Sequence, residues 1–187
     1  MRRGNGVVQS DLVAAAQKGD AEAFAALARL SADRLYAVAV RVTRDRHRAE
    51  DALQQALIAA WKELPRLRDP ERFEAWTYRL VVRFAVQEAR GGRQPSREIF
   101  ALPEQEPSRD DASADVATRD QLERGFRRLT PEQRAIIVLH FYAGLSLAEV
   151  ADVIGVPLGT VGSRLHYAKR ALRAALEADD RVEERTA

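Results

Sequence analysis

The stretch that most constrains the fold is GVPLGTVGSRL at residues 155–165, which separates two helical patterns. Before it, Ser146 and Glu149 have the spacing of a capping box and open a short apolar-periodic segment. Gly155 ends that segment, and a last helix is predicted over about 158–178. Two helices joined by a turn that contains glycine predict a helix-turn-helix.

The predicted last helix has one apolar stripe and one basic face. At about 100° per residue, Val161, Leu165, Ala168 and Leu172 fall on the inner stripe. The outer face and its shoulders carry polar or basic side chains, namely Thr160, Ser163, Arg164, His166, Tyr167, Lys169, Arg170 and Arg173. Side chains near the start of such a helix can reach base edges, and arginines further along can hold phosphates, so we predict a DNA-binding helix. The alternative is an ordinary amphipathic helix with a solvated basic face.

The rest of the chain predicts an all-α fold, because alanine, leucine, arginine and glutamate dominate and β-branched runs are few. The 187 residues, 46% hydrophobic and 31% charged, suit one or two small globular domains. The net charge of +2 is too small to indicate what kind of partner the chain binds.

Several classes of chemistry are excluded or unsupported. The chain has no cysteine, which excludes disulfides, thiolate zinc sites and cysteine nucleophiles. His47, His140 and His166 are scattered without nearby ligand partners, so we expect no metal, no cofactor and no catalytic activity. No apolar run is long enough for a signal peptide or a membrane span, and we expect a cytoplasmic protein without direct membrane insertion.

Helical patterns elsewhere predict two domains. Capping residues and apolar periodicity indicate helices near residue 11, after Asp20, over about 47–63, from Asp69 to about Arg90 and from Thr130 to about Tyr142. The predicted buried stripe of the 47–63 helix consists of Leu53, Ala56, Leu57, Ala60, Trp61 and Leu64. The acidic, proline-containing composition that follows is typical of a flexible linker. We therefore predict helical domains at 9–92 and 116–178, with a linker at 93–115 and a disordered tail at 179–187.

Four arginines define what we call the arginine face: Arg72, Arg79, Arg83 and Arg90. Their spacings of 7, 4 and 7 residues place them within about 40° of one another, along about 27 Å of a helix. Trp76 and Gln87 lie beside them. Arginines next to aromatic rings suit single-stranded nucleic acid, which needs phosphate neutralisation and stacking. An exposed basic face with the tryptophan in the core is the other interpretation.

The 47–63 helix carries a polar set away from its buried stripe, or at the stripe's edge: Asp51, Gln54 and Gln55, with Ile58. Exposed polar residues in such a set usually only contact solvent. The alternative is that they form a docking surface for a partner protein.

Three segments together resemble a sigma-70 family sigma factor of the extracytoplasmic-function (ECF) type. RAEDALQQALIAAW (48–61) is similar to the region 2 helix that docks on the β′ coiled coil of RNA polymerase. RFEAWTYRLVVRFAVQEAR (72–90) is similar to the segment that melts and recognises the −10 promoter element. The run LTPEQRAIIVLHFYAGLSLAEVADVIGVPLGTVGSRLHYAKRALR (129–173) is similar to region 4, which binds the −35 element and the β flap.

The resemblance implies roles for individual residues in region 2. Asp51, Gln54 and Gln55 fall at the β′ contact, with Gln55 in place of a common glutamate. Trp76 matches the family's tryptophan. Arg83 replaces an asparagine that lines a −10 base pocket, and Gln87 replaces a common aspartate.

In region 4 the resemblance implies that Ser163, Arg164 and His166 contact the −35 element. Gly162 stands where a basic residue is frequent, and Tyr167 where an arginine is frequent. The implied partners are core RNA polymerase, promoter DNA and an anti-sigma factor, and the linker resembles the segment that threads through the polymerase.

Two other classes of protein compete with this hypothesis. A stand-alone helix-turn-helix regulator would bind duplex DNA without polymerase, but it would not need the arginine face beside Trp76. A protein-interaction module would show no salt-dependent affinity for DNA.

Overall fold

The computed structural model describes residues 3–91 and 122–184, and within these ranges helices are the only regular secondary structure. The all-α prediction is confirmed. The α-helices are α1 (Arg3–Gln17), α2 (Ala21–Thr43), α3 (Arg46–Glu63), α4 (Phe73–Gly91), α5 (122–127), α6 (Pro131–Ile137), α7 (Leu147–Ile154) and α8 (Leu158–Glu184). Short 3₁₀ turns cover Leu64–Arg66 and Pro70–Arg72, and a π-helical turn covers Val138–Tyr142.

The predicted helix starts carry the expected caps. The side chain of Asp20 accepts hydrogen bonds from the backbone N–H groups of Glu22 and Ala23, both at 3.0 Å. Thr130 and Ser146 each form a complete capping box, and Gly155 adopts the left-handed conformation at φ 76°. These local signals need no tertiary context, which is why the sequence predicts them correctly.

Three helix boundaries differ from the prediction. Asp69 caps a 3₁₀ turn rather than α4, which begins at Phe73. The helix predicted up to Tyr142 widens after Ile137, because the N–H of Ala143 bonds five residues back to the Val138 carbonyl at 2.9 Å. The last helix continues to residue 184 because no glycine or proline follows to end it, so residues 179–184 of the predicted tail are helical. The predicted linker at 93–115 lies outside the described residues.

The N-terminal helices pack around a row of alanines. Ala49, Ala52, Ala56 and Ala60 are the buried residues of α3, which contacts both α2 and α4. The predicted stripe of larger side chains was partly wrong: Leu53 and Leu57 are half-buried, and Trp61 is 39% exposed. The alanines occupy the inner face because they permit close helix approach, and the larger side chains cover its margins.

The C-terminal helices bury the predicted inner stripe of α8. Val161 and Ala168 are fully buried, Leu165 is buried, and Leu172 is half-buried. These side chains belong to the core that α6, α7 and α8 share.

The two groups of helices also pack against each other. Helix α4 contacts α6 and α7, and α2 contacts α6 and the π turn. One continuous cluster of buried side chains includes Val81 of α4, Leu139 of the π turn and Val150 of α7, each fully buried. This packing brings the face of α4 close to the helix-turn-helix.

Candidate nucleic-acid interface

The basic face of α8 is open along most of its length. Six of the predicted DNA-contacting residues are exposed, namely Ser163, Arg164, His166, Tyr167, Lys169 and Arg170, and Thr160 is half-buried. The hydroxyl of Ser163 donates a 3.0 Å hydrogen bond to the carbonyl of Thr160. The tyrosine ring at 167 is 62% exposed and contacts the ring of His166 at a centroid distance of 5.8 Å.

The turn before α8 holds this face at a fixed angle to α7. Ser146 and Glu149 bond each other's backbone N–H groups at 3.2 and 2.8 Å. The hydrogen bond with Ser146 lowers the pKa of Glu149. The N–H of Gly155 bonds to the carbonyl of Ala151 at 2.8 Å, and that of Thr160 bonds to the carbonyl of Pro157 at 2.9 Å. Both ends of the turn are therefore fixed by hydrogen bonds.

Three arginines of the arginine face lie on α4, whereas Arg72 belongs to the 3₁₀ turn just before it, and all four side chains are exposed. Its arginines nevertheless meet acceptors. Arg83 lies 3.7 Å from the carboxylate of Glu63, with its guanidinium 4.7 Å from the centroid of the Phe84 ring. Arg90 Nε donates to Glu132 Oε1 at 2.6 Å.

The other two arginines of this face bond to α7. Arg72 pairs with the carboxylate of Asp152, and Arg79 donates to the backbone carbonyl of the same residue. Burial alone would raise the pKa of Glu132, but hydrogen bonds from its backbone, Arg90 and Thr130 together lower it. The acceptors of three arginines thus come from the C-terminal helices, and two of them are carboxylates while the third is a backbone carbonyl.

The residues beside the arginine face differ in exposure. Gln87 is exposed, whereas Trp76 is half-buried and packs on Phe73 with ring centroids 5.9 Å apart. Each interpretation of Trp76 therefore holds for part of its side chain, because part of the ring packs against the core and part remains accessible.

The polar set of α3 forms a separate surface. Asp51, Gln54 and Ile58 are exposed, with 48% of Ile58 accessible. Gln55 is half-buried, and its amide donates to the Glu88 carboxylate at 2.8 Å. This bond ties the α3 surface to α4, the helix of the arginine face.

Sequence reasoning missed a cleft of about 690 Å³ between the two groups of helices. Arg41 of α2 and Arg44, which directly follows that helix, line one side, and α8 contributes His166, Lys169, Arg170 and Arg173. The guanidinium of Arg41 lies 3.6 Å from the centroid of the Tyr142 ring, and Arg44 donates to the Glu123 carbonyl at 2.6 Å. Burial lowers the pKa of both arginines. No local pattern predicts this cleft, since it exists only through the packing of distant helices.

Two further findings on the described residues concern metal sites and membrane spans. Residues 3–91 and 122–184 contain no group of histidine, aspartate or glutamate side chains that could hold a metal ion. None of the helices in these ranges is both long enough and apolar enough to cross a membrane.

Family comparisons decide between the competing hypotheses. Residues 27–94 match the family model "Sigma-70 region 2", and residues 119–172 match "Sigma-70, region 4". The ECF RNA polymerase sigma factor SigL of Mycobacterium tuberculosis is 34% identical over 168 residues, which cover 85% of this chain and 94% of SigL. The chain belongs to the ECF group of the sigma-70 family. It is therefore a sigma factor, which directs core RNA polymerase to promoters and initiates transcription through the −10 and −35 elements.

A further relative and two solved structures are also similar to this chain. The sigma-H factor of Pseudomonas aeruginosa is 30% identical, over 89% of this chain and 92% of its own. The structure of CnrH in complex with the cytosolic domain of CnrY superposes with a TM-score of 0.65 at 26% identity, over 92% and 99% of the two chains. The sigma factor RpoE of Bartonella quintana, solved with the anti-sigma factor NepR, superposes with a TM-score of 0.60 at 25% identity, over 83% of this chain and 98% of its own. These comparisons do not support the competing hypothesis of a stand-alone helix-turn-helix regulator.

Proposed function

We propose that this sigma factor divides promoter recognition between a unit at 9–92 and a unit at 116–178, joined by the segment 93–115. The observation that carries the proposal is the placement of two basic surfaces on separate helices, α4 and α8, one in each family region. Either surface alone would bind DNA weakly. A tether raises the effective concentration of the second unit once the first has docked, so two promoter boxes at a fixed spacing give the specificity.

Helix α8 contacts the −35 element in this proposal. The exposed side chains of Ser163, Arg164 and His166 lie in its second and third turns, in the N-terminal part of the helix, where a helix placed in the major groove reaches base edges. Lys169 and Arg170 lie one turn further on and hold phosphates, which fixes the register of the helix. Thr160 and Tyr167 flank this contact.

The arginine face contacts the −10 element as the duplex opens. Arg72, Arg79, Arg83 and Arg90 would neutralise phosphates, and each single-strand phosphate contact contributes about 0.7 to the salt slope of binding. The accessible part of Trp76 offers a stacking surface, and Gln87 adds hydrogen-bonding groups beside it.

The α3 surface docks on core polymerase. Exposed Ile58 supplies the apolar contact, and Asp51, Gln54 and Gln55 surround it with polar groups, as interface centres commonly require. The docking partner is the β′ coiled coil, and the β flap binds the C-terminal unit. The Gln55–Glu88 hydrogen bond holds this surface in register with α4.

The protein makes and breaks no covalent bond in this proposal, and it acts in the cytoplasm. An anti-sigma factor is a further partner. This partner is suggested by the structural neighbour RpoE, which was solved with the anti-sigma factor NepR.

The test is run-off transcription with core polymerase, with and without the protein, on a promoter library. We expect transcripts only with the protein. On a selected promoter, Arg83→Ala and His166→Ala should each reduce transcription about tenfold or more, matching ~1–3 kcal/mol for a lost base or phosphate contact. Arg66→Ala removes an exposed arginine outside all three surfaces and should leave transcription unchanged. Binding of duplex DNA without any binding of core polymerase would contradict the proposal.

A further inference from the structure

The cleft between α2 and α8 combines an apolar surface with an unbalanced positive charge. Its apolar lining comes from five elements and includes Val40, Phe126, Ile137, Val138, Leu172 and Leu176. Five cations also line it, namely Arg41, Arg44, Lys169, Arg170 and Arg173. Among the described residues of the lining, Glu123 supplies the one carboxylate. A molecule that matches this cleft therefore needs both an apolar body and a negative charge.

The apolar side chains lie deeper in the cleft than the charged ones. Val40, Ile137 and Val138 are buried, whereas Lys169 and Arg170 are exposed. A bound molecule would therefore bury its apolar part against the floor and keep its charged group near the margin.

Two of the cations are half-buried and bond to neutral acceptors. Arg41 donates to the Ala37 carbonyl at 2.9 Å, and Arg44 donates to the Glu123 carbonyl at 2.6 Å. Burial lowers the pKa of both guanidinium groups. A carboxylate that enters the cleft would offer them a charged acceptor, which forms a stronger hydrogen bond than a neutral carbonyl does.

The volume of the cleft favours a small molecule. Pockets of about 300–1,000 Å³ hold drug-sized ligands, and this cleft measures about 690 Å³. A nucleotide with several phosphates would suit the cations, but it would place polar groups against the buried apolar floor, which is unfavourable. The combination of size, floor and charge fits an anion with one charged group and an apolar remainder.

We propose that this cleft binds an amphipathic carboxylate, with the apolar body against Phe126 and Leu176 and the carboxylate held by the cleft cations. The apolar body is either a flexible alkyl chain or a flat aromatic ring system. Lys169 and Arg170 line the cleft and also belong to the proposed −35 surface. A carboxylate that they hold competes with DNA phosphates for the same side chains, and this consequence rests on the proposed −35 role of α8.

Calorimetric titration of the full chain tests the site, with decanoate and 2-naphthoate as probes and decanol as the uncharged comparison. Arg41→Gln with Arg173→Gln should weaken binding of the preferred acid about tenfold, because charged hydrogen bonds are lost. Arg29→Gln with Arg164→Gln makes the same charge change on the same two helices outside the cleft, and it should leave binding unchanged. Tighter binding of decanoate identifies an alkyl chain as the occupant, and tighter binding of 2-naphthoate identifies an aromatic one.

A second variant guards against instability of the first. Leu122 lines the cleft and is 37% exposed, so Leu122→Glu adds a repelling carboxylate without disturbing the core. It should also weaken binding at least tenfold. Absence of binding by both acids, equal binding of decanol, or equal affinity in the cleft variants and the control variant would overturn the proposal.

The competition is measured on a −35 duplex taken from a promoter selected in the run-off assay. Saturating acid should weaken duplex binding about fivefold, and the duplex should weaken acid binding by the same factor. The effect should shrink in the Arg41/Arg173 variant. If the acid binds in the cleft but duplex affinity stays unchanged, the shared use of Lys169 and Arg170 is refuted and the sigma function stands. If His166→Ala leaves duplex binding unchanged, the assigned −35 role fails, whatever the calorimetry shows.

Discussion

Gly125 of α5 lies close to two leucines of α8. The residue is buried, and a Cβ added there would lie 2.8 Å from Leu172 Cδ1 and 3.1 Å from Leu176 Cδ2. Favourable carbon contacts lie at about 3.5–4.0 Å, so Gly125→Ala forces both leucine side chains to move.

Two effects of comparable size oppose each other in Gly125→Ala. Alanine is favoured over glycine in a helix by about 1 kcal/mol. Displacing the end of a leucine side chain from its rotamer costs about 0.5–1.5 kcal/mol, and two leucines are affected. The net effect expected for Gly125→Ala is therefore a free energy of opening of α8 that is lower by about 0–2 kcal/mol. Gly162→Ala is the matched control, because no atom lies within 4 Å of its added Cβ, and it should raise that free energy by about 1 kcal/mol.

Native-state amide hydrogen exchange of α8 in the full chain measures this quantity. A double-mutant cycle with Leu172→Ala isolates the steric part, because the shortened side chain leaves room for the new Cβ. The cycle should show about 1 kcal/mol of favourable coupling between the two substitutions. If the effects of the two substitutions add within about 0.3 kcal/mol, the steric argument is refuted. It is also refuted if Gly125→Ala stabilises α8 as much as the Gly162→Ala control does.

Three further predictions concern caps and charges. Ser146→Ala removes the α7 cap and should lower the free energy of opening of α7, measured by amide exchange, by about 1 kcal/mol. Binding of a −35 duplex should weaken as a result. Unchanged exchange in α7 would contradict this prediction. Burial lowers the pKa of Arg134 to about 10 and leaves its Nε without an acceptor among the described residues, so Arg134→Met should raise the thermal midpoint rather than lower it. The pKa of Glu132 is lowered from its usual 4.5, so its pair with Arg90 is present at neutral pH and is lost as pH falls through that lowered pKa, and the thermal midpoint should drop there. Glu132→Gln should flatten that drop, and an equal drop in both proteins would exclude this carboxylate as the cause.

The sequence predicts features whose causes are local. Capping boxes, the left-handed Gly155 and the buried stripe of α8 depend on neighbours within one or two turns, so spacing alone identifies them. The three candidate surfaces follow from helical periodicity in the same way.

Tertiary packing decides what the sequence does not predict. The buried row of α3 consists of alanines, because the two neighbouring helices approach closely; hydrophobicity alone favours Trp61 and the leucines. The bond from Arg79 to Asp152 joins residues 73 positions apart, and no local pattern encodes it. The cleft between α2 and α8 was missed for the same reason.

The alanine row of α3 has a consequence for which substitutions this sigma factor can accept. Helix separation depends on the side chains at the contact, within about 8–10 Å. With only methyl groups facing inward, α3 already lies close to α2 and α4, and any larger residue there would push it outward. Such a change would shift the polymerase-docking surface relative to the arginine face. We therefore expect the packing of α3 to tolerate substitution of the exposed DNA-contacting side chains far better than a single methylene added at Ala52 or Ala56.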